Sequence, residues 1–170
     1  MAMTTLALLV LAPLLVWRIY SRVKGMMSRQ RSIMQRHYTG AGVFSAIVLV
    51  TASQLTFQLG SLGWLAVGTI GGIAYGIFGL RRARFEAVRE GYFFTPNARM
   101  GIVIGMQFVA SVLYVGFEIY ANQDSALRTP RVTDYIFFMP SLGLMCGYFA
   151  TFSAGLLRWR FKLRKEVEKA

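Results

Sequence analysis

Gln107, Ser111, Tyr114 and Glu118 follow one another at steps of four, three and four inside an otherwise apolar run, a spacing that sets all four on one helical face. Thr51, Gln54 and Gln58 recur at steps of three and four in an earlier run. Amide, hydroxyl and carboxyl groups on facing helices would line a site for a polar solute. Polar groups are costly in hydrocarbon and turn toward a bundle interior. The stripes therefore predict an outward-opening polar pocket between the two runs, with Glu118 near its mouth and Arg128 or Arg131 as counter-charge. The plainer alternative is hydrogen bonding between helices, with Glu118 at headgroup level.

Other reactive side chains are isolated. His37 is the single histidine and Cys146 the single cysteine. No zinc ligand set, dithiol pair or internal disulfide can be assembled from them, and no Ser, His and acid arrangement for nucleophilic catalysis stands out. Met26, Met27 and Met34 near His37 give only a faint haem-ligation pattern, so no cofactor or metal is expected. A second polar cluster lies in "RRARFEAVREGYFFTPNARMG", residues 81–101, where Arg82, Arg84 and Arg89 offer guanidinium groups to anionic lipid or a docking partner. Glu86, Glu90 and Asn97 of the same stretch form the inner-face polar cluster at which a lipid-directed enzyme would have its site.

The elements that must hold these groups are set by composition. Of 170 residues, 55% are hydrophobic and 15% charged, with a mean hydropathy of +0.49, which is too apolar for a soluble core. Five apolar stretches, 4–20, 40–57, 62–80, 96–120 and 135–157, each approach the roughly 20 residues that cross the hydrocarbon as a helix. The expected fold is all-α: one transmembrane domain of five helices, ending in a basic tail over 158–170.

Charge orients that bundle. Of 19 Lys and Arg residues, all but Arg128 and Arg131 fall between spans one and two, between three and four, or after five. The net charge of +12 thus reads as a positive-inside pattern, with the amino terminus outside and the carboxyl terminus cytoplasmic, and not as a nucleic-acid footprint. The first span has no basic residue ahead of it and reads as an uncleaved anchor. Trp17, Tyr20, Phe78, Trp159 and Phe161 mark the inner headgroup level; Phe57, Trp64, Phe117, Tyr120 and Tyr135 mark the outer one.

Between spans three and four, segments 85–88 and 92–95 flank Arg89-Glu90-Gly91 and predict a short cytoplasmic β-hairpin. Thr95 and Pro96 then read as the N-cap and first residue of span four. Gly68, Gly72 and Gly76 recur every fourth residue in span three, as do Gly143, Gly147, Thr151 and Gly155 in span five. Small residues at this spacing let helix backbones approach closely, within a chain or between chains, and a ligand groove is the rarer use. The polar stripes also align at an offset of sixty and the glycine faces at seventy-five, a pattern that a parallel repeat of helix pairs would give.

"RRARFE", "GYFFTPNARMG" at the head of an apolar span, and a last span ending "LLRWRFKLRK" together resemble the CcdC-like family of small multi-pass bacterial membrane proteins, over residues 36–165. That resemblance implies a link to cytochrome c maturation. It supplies no catalytic residues, and this chain lacks the paired cysteines that thiol transfer would need, which leaves an accessory role. The expectation is an accessory or assembly factor of the bacterial inner membrane, more a binding protein than an enzyme. Its expected partners are anionic headgroups on the cytoplasmic side and a membrane protein or a second copy. The alternative is a small oligomeric transporter or permeation unit using the polar stripes; a lipid-directed enzyme stands third.

Overall fold

The computed structural model describes residues 30–88, 91–121 and 137–167. These form, in order, β1 (Gln30–Arg31), α1 (Met34–Gln54), α2 (Leu59–Arg82), β2 (Arg84–Val88), β3 (Gly91–Thr95), α3 (Ala98–Ala121) and α4 (Phe138–Val167). The first expected span at 4–20, the loop with Arg128 and Arg131, and Arg89 and Glu90 lie outside the described residues.

The chain is mainly helical, and among the described residues three helices are long and apolar enough to cross a membrane: α2, α3 over Arg99–Ile119 and α4 over Phe138–Arg164. The second of the five expected spans is α1. It is 21 residues long, but His37, Thr39, Ser45, Thr51, Ser53 and Gln54 leave it less apolar than those three. It stops at Gln54, short of the expected residue 57, in a turn where the Leu55 N–H reaches the carbonyls of Thr51 and Ala52 at 3.2 and 3.1 Å. Leu55 is 1% exposed and packs with Leu65 and Met139, so the turn is anchored by the largest buried side chains at that end.

Outer surfaces are apolar. Leu49, Ile70, Met106, Leu113 and Phe117 are each more than 60% exposed on α1, α2 and α3. Water would penalise that area at about 25 cal/mol per Å², whereas acyl chains take it at no such cost.

α4 is the hub: α1, α2 and α3 all pack on it. Its closest neighbour is α2, because the two glycine stripes face each other. A Cβ at Gly68 would collide with the Pro140 carbonyl and one at Gly72 with the Leu144 carbonyl. Reciprocally, a Cβ at Gly143 or Gly147 would sit 2.5 Å from the carbonyl oxygens of Leu65 and Thr69, and one at Gly76 would lie 2.8 Å from Thr151 Cβ. The seam is therefore backbone against backbone within one chain. α1 meets α4 at Gly40, against Ser153, and through the stacked rings of Phe44 and Phe149, 5.2 Å apart.

α4 is also longer than its expected span. It starts at Phe138, with Pro140 tolerated in its first turn, and runs 30 residues to Val167, so most of the segment expected as a basic tail continues the helix. At 1.5 Å per residue that is about 45 Å, some 15 Å beyond the hydrocarbon thickness. The surplus end supports a three-stranded antiparallel sheet in the order β1-β3-β2. β2 pairs with β3 from Arg84↔Thr95 to Val88↔Gly91, and Gly91 takes a φ of +140°, a region that favours glycine. Thr95 belongs to this ladder, so it does not cap the next helix as expected, and α3 begins at Ala98. β1, two residues at Gln30↔Phe94 and Arg31↔Phe93, is an element with no sequence expectation behind it.

Candidate functional site

The polar stripes do not meet in one pocket. α1 and α3 pack on α4 instead of forming an extensive contact with each other. Ser111 is the member of the α3 stripe that turns inward: its hydroxyl hydrogen-bonds with the Phe108 carbonyl at 2.7 Å and with the buried Ser141 hydroxyl of α4 at 3.1 Å. Gln107 and Tyr114 are exposed at the edge of that face, and Glu118 is half-buried. On the other side, Gln54 is exposed, Thr51 is half-buried, and the Gln58 backbone carbonyl accepts the Leu62 N–H at 3.0 Å at the start of α2. The expected pocket between spans two and four is thus divided by α4, and Ser111–Ser141 takes the helix-to-helix hydrogen-bonding role.

A concavity does exist, but elsewhere and of opposite character. A cleft of about 260 Å³ between α1 and α2 is lined by Val48, Ala52, Leu62, Leu65, Ala66, Thr69 and Ile70. Its one hydroxyl, that of Thr69, donates back to the Leu65 carbonyl at 2.8 Å and so presents no free donor to the cleft. An acyl chain fits that lining; a polar solute does not.

The densest polar and aromatic arrangement lies where the sheet meets the end of α4. Phe85 on β2 packs on Trp159 with centroids 4.9 Å apart, and Tyr92 on β3 meets the same indole edge-on at 6.1 Å. Arg160 holds its guanidinium carbon 3.8 Å above the Tyr92 ring. Phe94, buried on β3, lies edge-on to His37 at 5.7 Å and tilted against Phe152 of α4 at 6.4 Å. The His37 Nε2 lies 3.0 Å from the Ser32 hydroxyl, both residues are buried, and the Ser32 N–H donates to the Tyr92 carbonyl at 2.8 Å. Chain from four separate elements is therefore fastened at one point.

Electrostatics at this junction run against a charged imidazole. Burial first, then the positive charges of Arg160 and Arg36, push the His37 pKa below its usual 6.5. Exposed cations surround the junction: Arg81 and Arg82 in the last turn of α2, where they complement its C-terminal dipole, Arg84 on β2, and Arg158 on α4. Arg82 lies 4.4 Å over the Phe78 ring. Glu86 stands on β2 opposite Phe93, and Asn97 falls between β3 and α3. Among the described residues no group of three or more His, Cys, Asp and Glu side chains could hold a metal ion. Cys146 is fully buried within α4.

Arg160 was hidden in the sequence among six basic residues after span five; the aromatic-basic alternation of "RWRF" was its one signal. Comparison of the chain with protein-family models, curated proteins and solved structures finds no match.

Proposed function

We propose that this chain is a multi-pass protein of the bacterial cytoplasmic membrane, carboxyl terminus inside, that works as an accessory or assembly factor through a membrane partner. The observation that carries the reading is the built surface at the end of α4: a sheet fixed by Phe85, Tyr92 and Trp159, ringed by exposed Arg81, Arg82, Arg84 and Arg158. A linker that only joined two helices would not need a third strand or an aromatic anchor. The distribution of Lys and Arg supports the orientation. The CcdC-like resemblance supports a setting in cytochrome c maturation, with binding and not thiol exchange as the contribution.

The test is co-purification from native lipid particles of tagged parent and of the combined Arg82→Gln, Arg84→Gln, Arg89→Gln variant. A stoichiometric membrane partner is expected with the parent and should fall several-fold with the variant, an effect that added salt would reproduce. A partner held equally by both proteins would sink the docking role. A homo-oligomer with no other partner would favour the second reading, a permeation unit. Gln107 and Tyr114 support that reading, since both are exposed on α3 where a second copy would cover them.

A further inference from the structure

Gln107 sits where a primary amide is hardest to keep. In the apolar span Arg99–Ile119 it stands eight residues from one end and twelve from the other, about 12 and about 18 Å along the axis, so its side chain reaches neither headgroup layer. It is also exposed, on the least buried of the three helices able to span. An amide open to acyl chains is costly, and in a membrane the remedy is a hydrogen bond to another helix.

The chain itself has little to offer there. Ser111, one turn along α3, is engaged by the Phe108 carbonyl and the Ser141 hydroxyl. Residues 6–16, "LALLVLAPLLV", carry no polar side chain, and the polar stretch after α3 begins beyond the far end of the span. A second copy supplies the bond directly. Identical chains insert with the same topology, so their α3 helices run parallel and bring Gln107 to one depth. The amide holds both donor and acceptor, which makes it complementary to its own copy across a two-fold axis.

α3 also presents the seam that such a pair needs. Met100, Val103, Gln107, Ala110, Tyr114 and Phe117 follow at steps of three, four, three, four and three, the 3.5-residue period of a left-handed helix pair. Val103, Tyr114 and Phe117 are 64%, 49% and 68% exposed, and Ala110 is exposed beside them. The same steps begun one residue later pass through the buried Ile104 and Val115 and through Ser111, the face that meets α4. One helix can therefore hold α4 on one seam and another α3 on the next. Gln107 takes a core position of the open seam, where a single polar residue fixes register and the number of strands.

We propose that the protein is a two-fold homodimer joined along α3, with the two Gln107 amides hydrogen-bonded to each other at its centre. This goes beyond docking at the inner face, uses a different surface, and gives the exposed side of α3 one further copy as its occupant.

The test uses the full chain, donor- and acceptor-labelled at the carboxyl terminus and reconstituted in phosphatidylcholine liposomes over a range of protein-to-lipid ratios. Energy transfer in the parent should follow a monomer–dimer curve. Gln107→Leu should raise the apparent dissociation constant about tenfold, the scale of an interhelical hydrogen bond, and Gln107→Asn, which keeps the amide, should recover most of the association. Gly105→Leu, on the opposite edge of α3 where a Cβ meets nothing within 4 Å, should leave the curve unchanged. Oxidation in membranes should cross-link copies through Ala110→Cys and not through Val109→Cys. Equal association of parent and Gln107→Leu, loss with Gly105→Leu alone, cross-linking at Val109→Cys alone, a curve that needs three or more copies, or a monomeric parent would each overturn the pairing. Partner capture is read separately: Gln107→Leu that still holds its partner leaves the docking role standing, and a parent that dimerises without any partner loses that role and keeps the seam.

Discussion

His37 faces the Phe94 ring from β3 and the Ser32 hydroxyl ahead of α1, and its charged form is disfavoured by burial first, then by Arg160 on α4 and Arg36 on its own helix. Its pKa in the folded chain lies below the 6.5 it has when unfolded. Below pH 6.5 the unfolded chain therefore binds the extra proton and the folded one resists it, so stability is complete above that pH and declines as pH falls. The unfolding temperature in neutral detergent should drop between about pH 7 and about pH 5 in the parent. His37→Asn, which can keep a hydrogen bond to Ser32 without titrating, should flatten that profile. A variant profile as steep as the parent's would assign the acid loss to other groups. The burial of His37 could not be read from its place in the chain, because Phe94 and Arg160 arrive from far along the sequence.

At the scale of elements, the four-residue glycine period was legible because it needs nothing beyond one helix, and both stripes lie in the α2–α4 seam. Replacing Gly72 or Gly147 with Leu should force the backbones apart, at a cost of about 1–3 kcal/mol or more for overpacking, read as a lower unfolding temperature. Gly105→Leu and Gly116→Leu are the matched controls: a Cβ at either position on α3 meets nothing within 4 Å, so stability should hold or rise slightly with helix propensity. Equal losses at all four positions would mean that the seam is not what sets stability. Pairing between helices was not legible. The polar stripes on α1 and α3 were matched to each other by resemblance of pattern, but periodicity defines a face and does not name its neighbour. Gly40 against Ser153 and Ser111 with Ser141 send both helices to α4. β1 escaped because two residues carry no alternation, and the excess length of α4 escaped because its last turns are basic, which hydropathy reads as the end of a span.

At the scale of the molecule, the two ends of α2 differ in what they join. One end of α2 is the short turn at 55–57, with Phe57 99% exposed; the other leads into β2, where Val88 is 46% exposed. With 24 residues, α2 is about 36 Å long, so if it spans, those two ends must lie in different compartments. The proposed orientation puts the sheet and its arginines in the cytoplasm and the turn outside. The chain provides its own blank for testing this, because the single cysteine, Cys146, is fully buried against neighbouring helices. A membrane-impermeant maleimide should leave the parent unlabelled in intact spheroplasts and in inverted vesicles. Phe57→Cys should label in spheroplasts alone and Val88→Cys in inverted vesicles alone. An exchanged pattern would reverse the orientation and move the basic surface away from cytoplasmic partners. Labelling of both positions from one side would mean that α2 does not cross, and the exposed apolar surfaces of α2 and α3 would then require a different solvent.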